Sequence, residues 1–497
     1  MIDNQPPNNL REKAVKGVAW SAAQRWGNQA ISFVVFFVLA RLLQPEAFGL
    51  VAMAAVFTAF IQIFLDQGLS QAIVQRPNLE PDHLDTAFWF GILTGGLMTV
   101  IGISLSGQVA EIYDEPDLQP VVAWMSLTFL LTALSSTQMA ILQRDLNFKA
   151  LATRTLLASL CGGITGVSAA WMGYGVWSLV AKELVNAIVG VLTLWRISRW
   201  RPSFHISLHY FKDLFSFGIN LVGIKIVGFF NQRSDDFLIG YFLGTASLGY
   251  YSMAYRLMSL VNGLMTGIAE QVAFSAFSRL QLQPDRLRQA FYQVTHFGIL
   301  LAFPAFVGLV VLAPELITVL FSNQWLPSIP ILQILALAGL VMAAMNANGY
   351  LLYAIGKPGW FLALMSLITL TNVTGFIVIA NWGLVAIAAV FATTQYVYAP
   401  LYLWIVHRNF PLNSDYFKLY TAPLSGAVAM GLIVEGLKII LQNEFNIYAQ
   451  LVIYSLAGGI SYVIIIALCD LSTLRQLFHL GQLAWRKQTT EIIEPLQ

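Results

Sequence analysis

Residues 40–54 read ARLLQPEAFGLVAMA, and residues 240–254 read GYFLGTASLGYYSMA. Four residues of the first stretch return in the second at an offset of 200 positions: Leu43, Gly49, Met53 and Ala54 correspond to Leu243, Gly249, Met253 and Ala254. Four matches among common residue types are weak by themselves. They raise the question of whether the chain contains one structural unit twice.

The composition places the chain in a membrane. Of its 497 residues, 57% are hydrophobic and only 10% are charged, whereas a soluble domain carries about 25% charged residues. The apolar runs are about 20 residues long, which suits helices rather than the roughly 10-residue strands of a barrel. The two cysteines, Cys161 and Cys469, lie in apolar runs and give neither a disulfide framework nor a metal-ligand spacing. A net charge of +2 gives no indication of a nucleic-acid partner.

Hydropathy predicts an all-α polytopic protein with about fourteen transmembrane helices. The spans lie near residues 17–40, 48–72, 86–110, 120–143, 151–171, 174–195, 214–242, 247–270, 290–321, 329–354, 360–380, 383–405, 418–441 and 450–469. When the N-terminus is placed in the cytoplasm, twenty Lys and Arg residues fall in the even-numbered loops and the two tails. The odd-numbered loops hold one, Arg41. This asymmetry predicts cytoplasmic N- and C-termini.

The span count explains the two similar stretches. They join span one to two and span seven to eight, and an offset of six spans gives both copies the same orientation, as in a parallel repeat. We therefore predict an N-terminal lobe (1–200, spans one to six), a cytoplasmic linker (201–213) and a C-terminal lobe (214–410, spans seven to twelve). A terminal helical pair (411–470) and a cytoplasmic tail (471–497) follow.

Ten ionisable residues lie inside spans and away from their ends, and each costs about 2.5–3.5 kcal/mol at a helix centre. They are Arg25, Asp66, Lys182, Glu183, Lys225, Arg233, Asp235, Asp236, Arg256 and Glu270. Span seven carries four of them, and at 100° per residue all four fit one face. We expect this face, and the polar stretch 21–29 of span one, to line a central cavity.

Two interpretations of these charges stay open. Arg233 and Asp236 lie three residues apart, so they either form a pair within the helix or serve a ligand. Lys182 and Glu183 are adjacent, and neighbouring side chains of a helix do not face each other. For these two, pairing with other helices and a functional role are equally compatible with the sequence. Enzyme signatures are missing: the six histidines have no ligand spacing, and no glycine-rich phosphate-binding motif is present.

Several segments resemble the polysaccharide-transporter family, within the superfamily of multidrug, oligosaccharidyl-lipid and polysaccharide exporters. They are LARLLQPEAFGLVAMA (39–54), DQGLSQAIVQR (66–76), LQRDLNFKALA (142–152), RSDDFLIGYFLGTASLGYYSMAYRL (233–257) and AIGKPGW (354–360). The resemblance covers nearly the whole chain. LQRDLNFKALA is the most specific segment and is similar to the lipopolysaccharide and colanic-acid type of exporter.

This resemblance implies a bacterial inner-membrane flippase, not an enzyme, that moves undecaprenyl-diphosphate-linked oligosaccharides by alternating access, without a cofactor. On this hypothesis Arg25, Lys225, Arg233 and Arg256 contact phosphate and sugar. Glu183, Asp235 and Asp236 are the candidates for coupling to H⁺ or Na⁺, and polysaccharide-assembly proteins are the expected partners. The chain departs from a strongly cationic interior, because its in-span charges balance at five basic and five acidic.

Two alternatives stay open. A cation-coupled drug antiporter on the same architecture predicts an acidic, aromatic cavity. A polytopic glycan polymerase or acyltransferase predicts large extracytoplasmic loops with catalytic residues, whereas the longest such loop here has about nine residues.

Overall fold

The protein is helical throughout the part of the chain that its structure describes. The structure is a computed structural model that describes residues 7–65, 69–76, 79–441 and 445–469, with the backbone alone at 7–16, 18–19, 208–224, 227, 265–272 and 274–275. No β-strand occurs in these ranges, which confirms the predicted fold class. The helices are α1 (Pro7–Leu42), α2 (Pro45–Leu65), α3 (Leu69–Gln75), α4 (Pro81–Tyr113), α5 (Leu118–Arg144), α6 (Phe148–Trp171), α7 (Val176–Ile197), α8 (Leu208–Leu280), α9 (Pro284–Val311), α10 (Ala313–Phe321), α11 (Ser328–Ala354), α12 (Pro358–Ile379), α13 (Leu384–Asn409), α14 (Asp415–Lys418), α15 (Thr421–Ile440) and α16 (Ile447–Cys469).

Within the described ranges, eleven helical segments are long and apolar enough to cross a membrane. They are α2, α4, α5, α6, α7, α9, α11, α12, α13, α15 together with α14, and α16. A polypeptide segment that crosses lipid becomes a helix, because a helix pairs its own backbone N–H and C=O groups where no water is present to bind them. Helix α1 and the two arms of α8 lie at the predicted spans one, seven and eight. How many segments cross the membrane, and on which side the termini lie, stay predictions.

A single glycine divides α8 into the two predicted spans. Gly244 has φ 76° and ψ −176°, a conformation outside the helical region. Glycine adopts positive φ without steric cost because it has no Cβ. The arms 208–243 and 245–280 therefore meet at this residue, which corresponds in the first repeat to Gln44 in the turn between α1 and α2.

The two similar stretches contact each other. A Cβ atom placed on Gly49 would lie 1.9 Å from the backbone carbonyl oxygen of Thr245, and one on Gly249 would lie 2.1 Å from that of Pro45. The two glycines are 200 positions apart, and so are Pro45 and Thr245. Two copies related by a rotation make reciprocal contacts of this kind, in which a residue of the first copy contacts a position of the second and the equivalent residue of the second contacts the equivalent position of the first.

The chain forms two compact units. The first comprises Met1–Ser252 with Phe376–Leu384, and the second comprises Met253–Gly375 with Val385–Gln497. The lobe boundaries at residues 200 and 410, with their linker, terminal pair and tail, stay predictions.

Each unit has its own close helix packing. In the first, a Cβ on Gly162 of α6 would lie 2.7 Å from the Lys182 carbonyl oxygen of α7, and Gly166 is close to the same residue. Small residues spaced by four bring membrane helices together in this way. In the second unit, the Tyr462 hydroxyl of α16 donates a hydrogen bond to the Leu300 carbonyl of α9 at 2.7 Å.

Candidate functional site

The first unit contains a cavity of about 630 Å³, within the size range of ligand pockets. Its walls come from α2, α3, α4, α5 and the first arm of α8. The residues from α2, α4 and α5 lie in the halves of these helices nearest the ends predicted to be cytoplasmic. The polar lining residues are Gln62, Ser70, Gln71, Thr132, Ser136, Thr137, Gln143, Lys225, Gln232 and Arg233.

The charge of the described lining is positive. Lys225 and Arg233 are its charged residues, and no described lining residue is a carboxylate. Both cations lie on the first arm of α8, eight residues apart. Asp66 and the side chain of Glu270, which belong to the ten in-span charges, lie outside what the structure describes. Two of the four predicted phosphate contacts thus share one cavity wall.

Arg233 also forms the predicted pair within its helix. Its Nη1 donates to Oδ2 of Asp236 at 2.9 Å, and 40% of the Arg233 side chain remains exposed against 13% for Asp236. The two interpretations of this pair are therefore compatible. Asp236 takes one donor of a guanidinium that has five, and Arg233 lines the cavity as well.

Asp235 and Asp236 of α8 do not line the cavity with Lys225 and Arg233. Asp235 and Asp236 are buried, at 6% and 9% exposure. Asp235 accepts the Tyr251 hydroxyl at 2.9 Å and the Asp236 backbone N–H at 2.9 Å. The expectation that all four charges of span seven line the cavity is therefore wrong for the two acids, whose short side chains end among protein partners.

Arg144, in the segment LQRDLNFKALA, connects α5 to α3. Its Nη1 donates to the carbonyl oxygens of Ile73 and Arg76, at 2.9 and 2.5 Å. Ile73 itself is fully buried. Arg144 thereby satisfies carbonyls at the C-terminus of α3, which a helix leaves without partners, and it fixes this short helix at the cavity wall.

The neighbours of Arg144 in the same segment have separate roles. Gln143 lines the cavity. Asn147 caps α6 through its side-chain oxygen, which accepts the Ala150 N–H at 3.2 Å. The resemblance had drawn attention to this segment without indicating what its residues do. The structure shows that one residue of the segment lines the cavity and that Arg144 bonds the helix beside it.

The polar stretch of span one serves helix packing in part. Gln24 donates to the Thr155 hydroxyl at 2.9 Å, and the Ser159 hydroxyl donates to Asn28 at 2.5 Å. Both contacts join α1 to α6 at matching four-residue intervals. The expectation that this whole stretch faces the cavity is therefore wrong for Gln24 and Asn28. Arg25 is exposed and is not among the residues that line the cavity.

The remaining predicted site residues lie elsewhere. Lys182 and Glu183 of α7 bind each other, with Nζ and Oε1 2.5 Å apart. The expectation that these adjacent side chains do not meet is therefore wrong, because both are long enough to bend toward each other. Arg256 is an exposed residue of the second unit and does not line the described cavity.

Four glutamines of the cavity wall were missed in the sequence. Gln62, Gln71, Gln143 and Gln232 come from α2, α3, α5 and α8. The sequence offers one signal for them, because glutamine is rare in apolar helices and all four lie in predicted spans.

The helices and this polar cavity define a multi-pass membrane protein of the transporter type. Residues 38–330 match the family described as polysaccharide biosynthesis protein, and the chain belongs to that family.

Its relatives are named as proteins of polysaccharide biosynthesis. The chain is 28% identical to the teichuronic acid biosynthesis protein TuaB of Bacillus subtilis over 483 residues, covering 96% of this chain and all of TuaB. It is also 28% identical to the succinoglycan biosynthesis transport protein ExoT of Rhizobium meliloti, covering 96% and 97% of the two chains. The fold is similar to that of the lipid II flippase MurJ in an inward closed conformation, with a TM-score of 0.75 at 15% identity over 92% of this chain and all of MurJ. The chain is thus a multi-pass protein of the bacterial inner membrane.

Proposed function

We propose that the protein flips oligosaccharides linked to undecaprenyl diphosphate across the inner membrane, by alternating access, for assembly of a surface polysaccharide. The observation that carries this proposal is the cavity wall formed by Lys225 and Arg233. The family, the names of the relatives and the MurJ-like fold support the same function.

The charge of the cavity suits a diphosphate. Arg and Lys form charge-assisted hydrogen bonds to phosphate oxygens, which are about twice as strong as neutral ones. The two cations lie among hydroxyls and amides, which bind sugars. A drug antiporter for cationic substrates needs carboxylates in the cavity instead, and the described lining has none.

The test uses cells that lack the protein and accumulate lipid-linked repeat units. We expect the wild-type chain to relieve accumulation on the cytoplasmic face, where the repeat units are out of reach of a periplasmic glycosidase. We expect Lys225→Gln and Arg233→Gln each to lower surface polysaccharide about 10- to 100-fold, because a hydrogen bond to a charged group contributes about 1.5–3 kcal/mol. Arg199→Gln, at an exposed basic residue that follows α7 and does not line the cavity, is the matched control. Normal polysaccharide in both cavity variants at normal abundance refutes the assignment of these residues.

The same proposal includes coupling to H⁺ or Na⁺, with Asp235 as the leading residue and with Asp236 and Glu183 as further candidates. Two adjacent buried carboxylates have one bonded cation, Arg233, and a proton or Na⁺ supplies the missing positive charge. Asp235→Asn removes one of the two negative charges, and with it the need for a bound proton or Na⁺. We expect flipping in vesicles by this variant to lose its dependence on an imposed ion gradient, and unchanged dependence contradicts the assignment. Arg25 and Arg256 remain proposed substrate contacts, and polysaccharide-assembly proteins remain proposed partners.

A further inference from the structure

We propose that Gln62, Gln71 and Gln143 form the part of the cavity that recognises the glycan, through the hydroxyl groups of uncharged sugars. This inference rests on the proposed function and divides the site in two. Lys225 and Arg233 hold the diphosphate, and the three glutamines select the sugars attached to it.

The three amides are available for a ligand. In the described part of the chain, none of them has a hydrogen-bond partner on another residue. Gln71 and Gln143 are exposed, and Gln62 is half-buried. Amides without partners cost free energy in an apolar surrounding, and this chain is 57% hydrophobic. Three of them at one cavity are stable because they face water or a polar ligand.

The amides come from three different helices. Gln62 lies on α2, Gln71 on α3 and Gln143 on α5, whereas both cations lie on α8. A ligand that fills the cavity therefore meets the charges on one wall and the amides on others. A lipid-linked glycan has this division, with a charged diphosphate joined to a polar, hydroxyl-rich chain.

The chemistry of the amide favours neutral sugars. A glutamine side chain offers two N–H donors and one carbonyl acceptor, and a hydroxyl is both donor and acceptor. Sites that hydrogen-bond a hydroxyl discriminate strongly against ligands that lack it. The two described cations balance the charge of a diphosphate, and the described lining offers no further cation for an acidic sugar.

Arg144 holds part of this wall in place. It bonds the C-terminal carbonyls of α3, the helix that carries Gln71, and it follows Gln143 directly in the chain. The position of Gln71 therefore depends on the guanidinium of the residue that follows Gln143.

The experiment measures equilibrium binding to the purified full chain in nanodiscs with two probes. One probe is undecaprenyl diphosphate without sugar, and the other is the complete lipid-linked repeat unit extracted from cells that lack the protein. The test variant replaces all three glutamines with methionine, which keeps side-chain length and helix propensity. The control variant carries Gln44→Met, Gln75→Met and Gln119→Met, at exposed glutamines outside the cavity.

We expect the test variant to bind the repeat unit about 10-fold or more weakly, at a factor of about 2 to 10 for each of the three lost hydrogen bonds. Its Kd for undecaprenyl diphosphate and both Kd values of the control stay within about threefold of wild type. The proposal is overturned if the test variant binds the repeat unit like wild type, or if it loses both probes equally. A Lys225→Gln/Arg233→Gln chain that binds both probes like wild type refutes the proposed function instead.

Discussion

Gly49→Ala tests the closest backbone contact between the two repeats. The added methyl carbon would lie 1.9 Å from the Thr245 carbonyl oxygen and 2.6 Å from its carbonyl carbon. These are backbone atoms of the adjoining arm of α8, so no side-chain rotation relieves the clash. Ordinary contact begins at about 3.4 Å. Helix α2 and this arm must therefore separate by about 1.5 Å.

The size of the effect follows from two opposing contributions. Forcing an extra methyl group into packed structure costs about 1–3 kcal/mol, whereas Gly to Ala within a helix gains up to about 1 kcal/mol from helix propensity. Gly96 of α4 provides the matched control, because a Cβ there meets nothing within 4 Å. The propensity gain cancels between the two helical sites, so we expect Gly49→Ala to be about 1–3 kcal/mol less stable than Gly96→Ala.

The reciprocal contact gives a second, independent result. Gly249→Ala places its methyl carbon 2.1 Å from the Pro45 carbonyl oxygen, so its cost should match that of Gly49→Ala. One separation of the two helices relieves both clashes. The double variant should therefore cost less than the two single variants together, as is usual for sites that share one backbone shift.

The assay is thermal unfolding of the purified chain in detergent, with the three variants and the Gly96→Ala control compared at one protein concentration. We expect Tm values a few degrees below that of the control. Equal Tm values for Gly49→Ala and Gly96→Ala refute the close approach of these helices. Strict additivity in the double variant refutes the shared displacement.

Two further predictions concern the cavity. Arg144→Gln removes the donors that bond the end of α3, and we expect faster hydrogen exchange in the amides of α3, with Arg199→Gln as the control; unchanged exchange contradicts the role of Arg144. Asp236→Asn removes the carboxylate partner of Arg233, and we expect tighter binding of undecaprenyl diphosphate, about 3- to 10-fold; weaker binding in a correctly folded variant shows instead that Asp236 holds Arg233 in its productive position.

Composition and hydropathy predicted the helices, because both depend on local properties of the chain. A run of about 20 apolar residues must be helical in lipid, whatever surrounds it. The relation of Gly49 to Gly249 was likewise visible as an offset in the sequence. Lys225 and Arg233 were predicted as cavity residues because a charge in an apolar span has few other places to lie.

The uncharged part of the site could not be predicted in the same way. A glutamine or asparagine in a membrane helix is satisfied equally well by a neighbouring helix or by a ligand. Gln24 and Asn28 bind α6, whereas Gln62 and Gln143 face the cavity. Nothing in their local sequence distinguishes the two pairs. The difference arises from which helices become neighbours.

The charges of span seven show how side-chain length decides which charged groups of one helix face reach the cavity. Lys225 and Arg233 have long aliphatic stems that carry their charged groups away from the backbone, and both reach the cavity. Asp235 and Asp236 have a single methylene, and their carboxylates stay beside the helix, where Tyr251 and Arg233 bond them. The balance of charges in the sequence therefore does not carry over to the cavity. A helix with two basic and two acidic residues on one face therefore presents a cationic surface to the cavity, and one of its acids bonds the guanidinium of that surface.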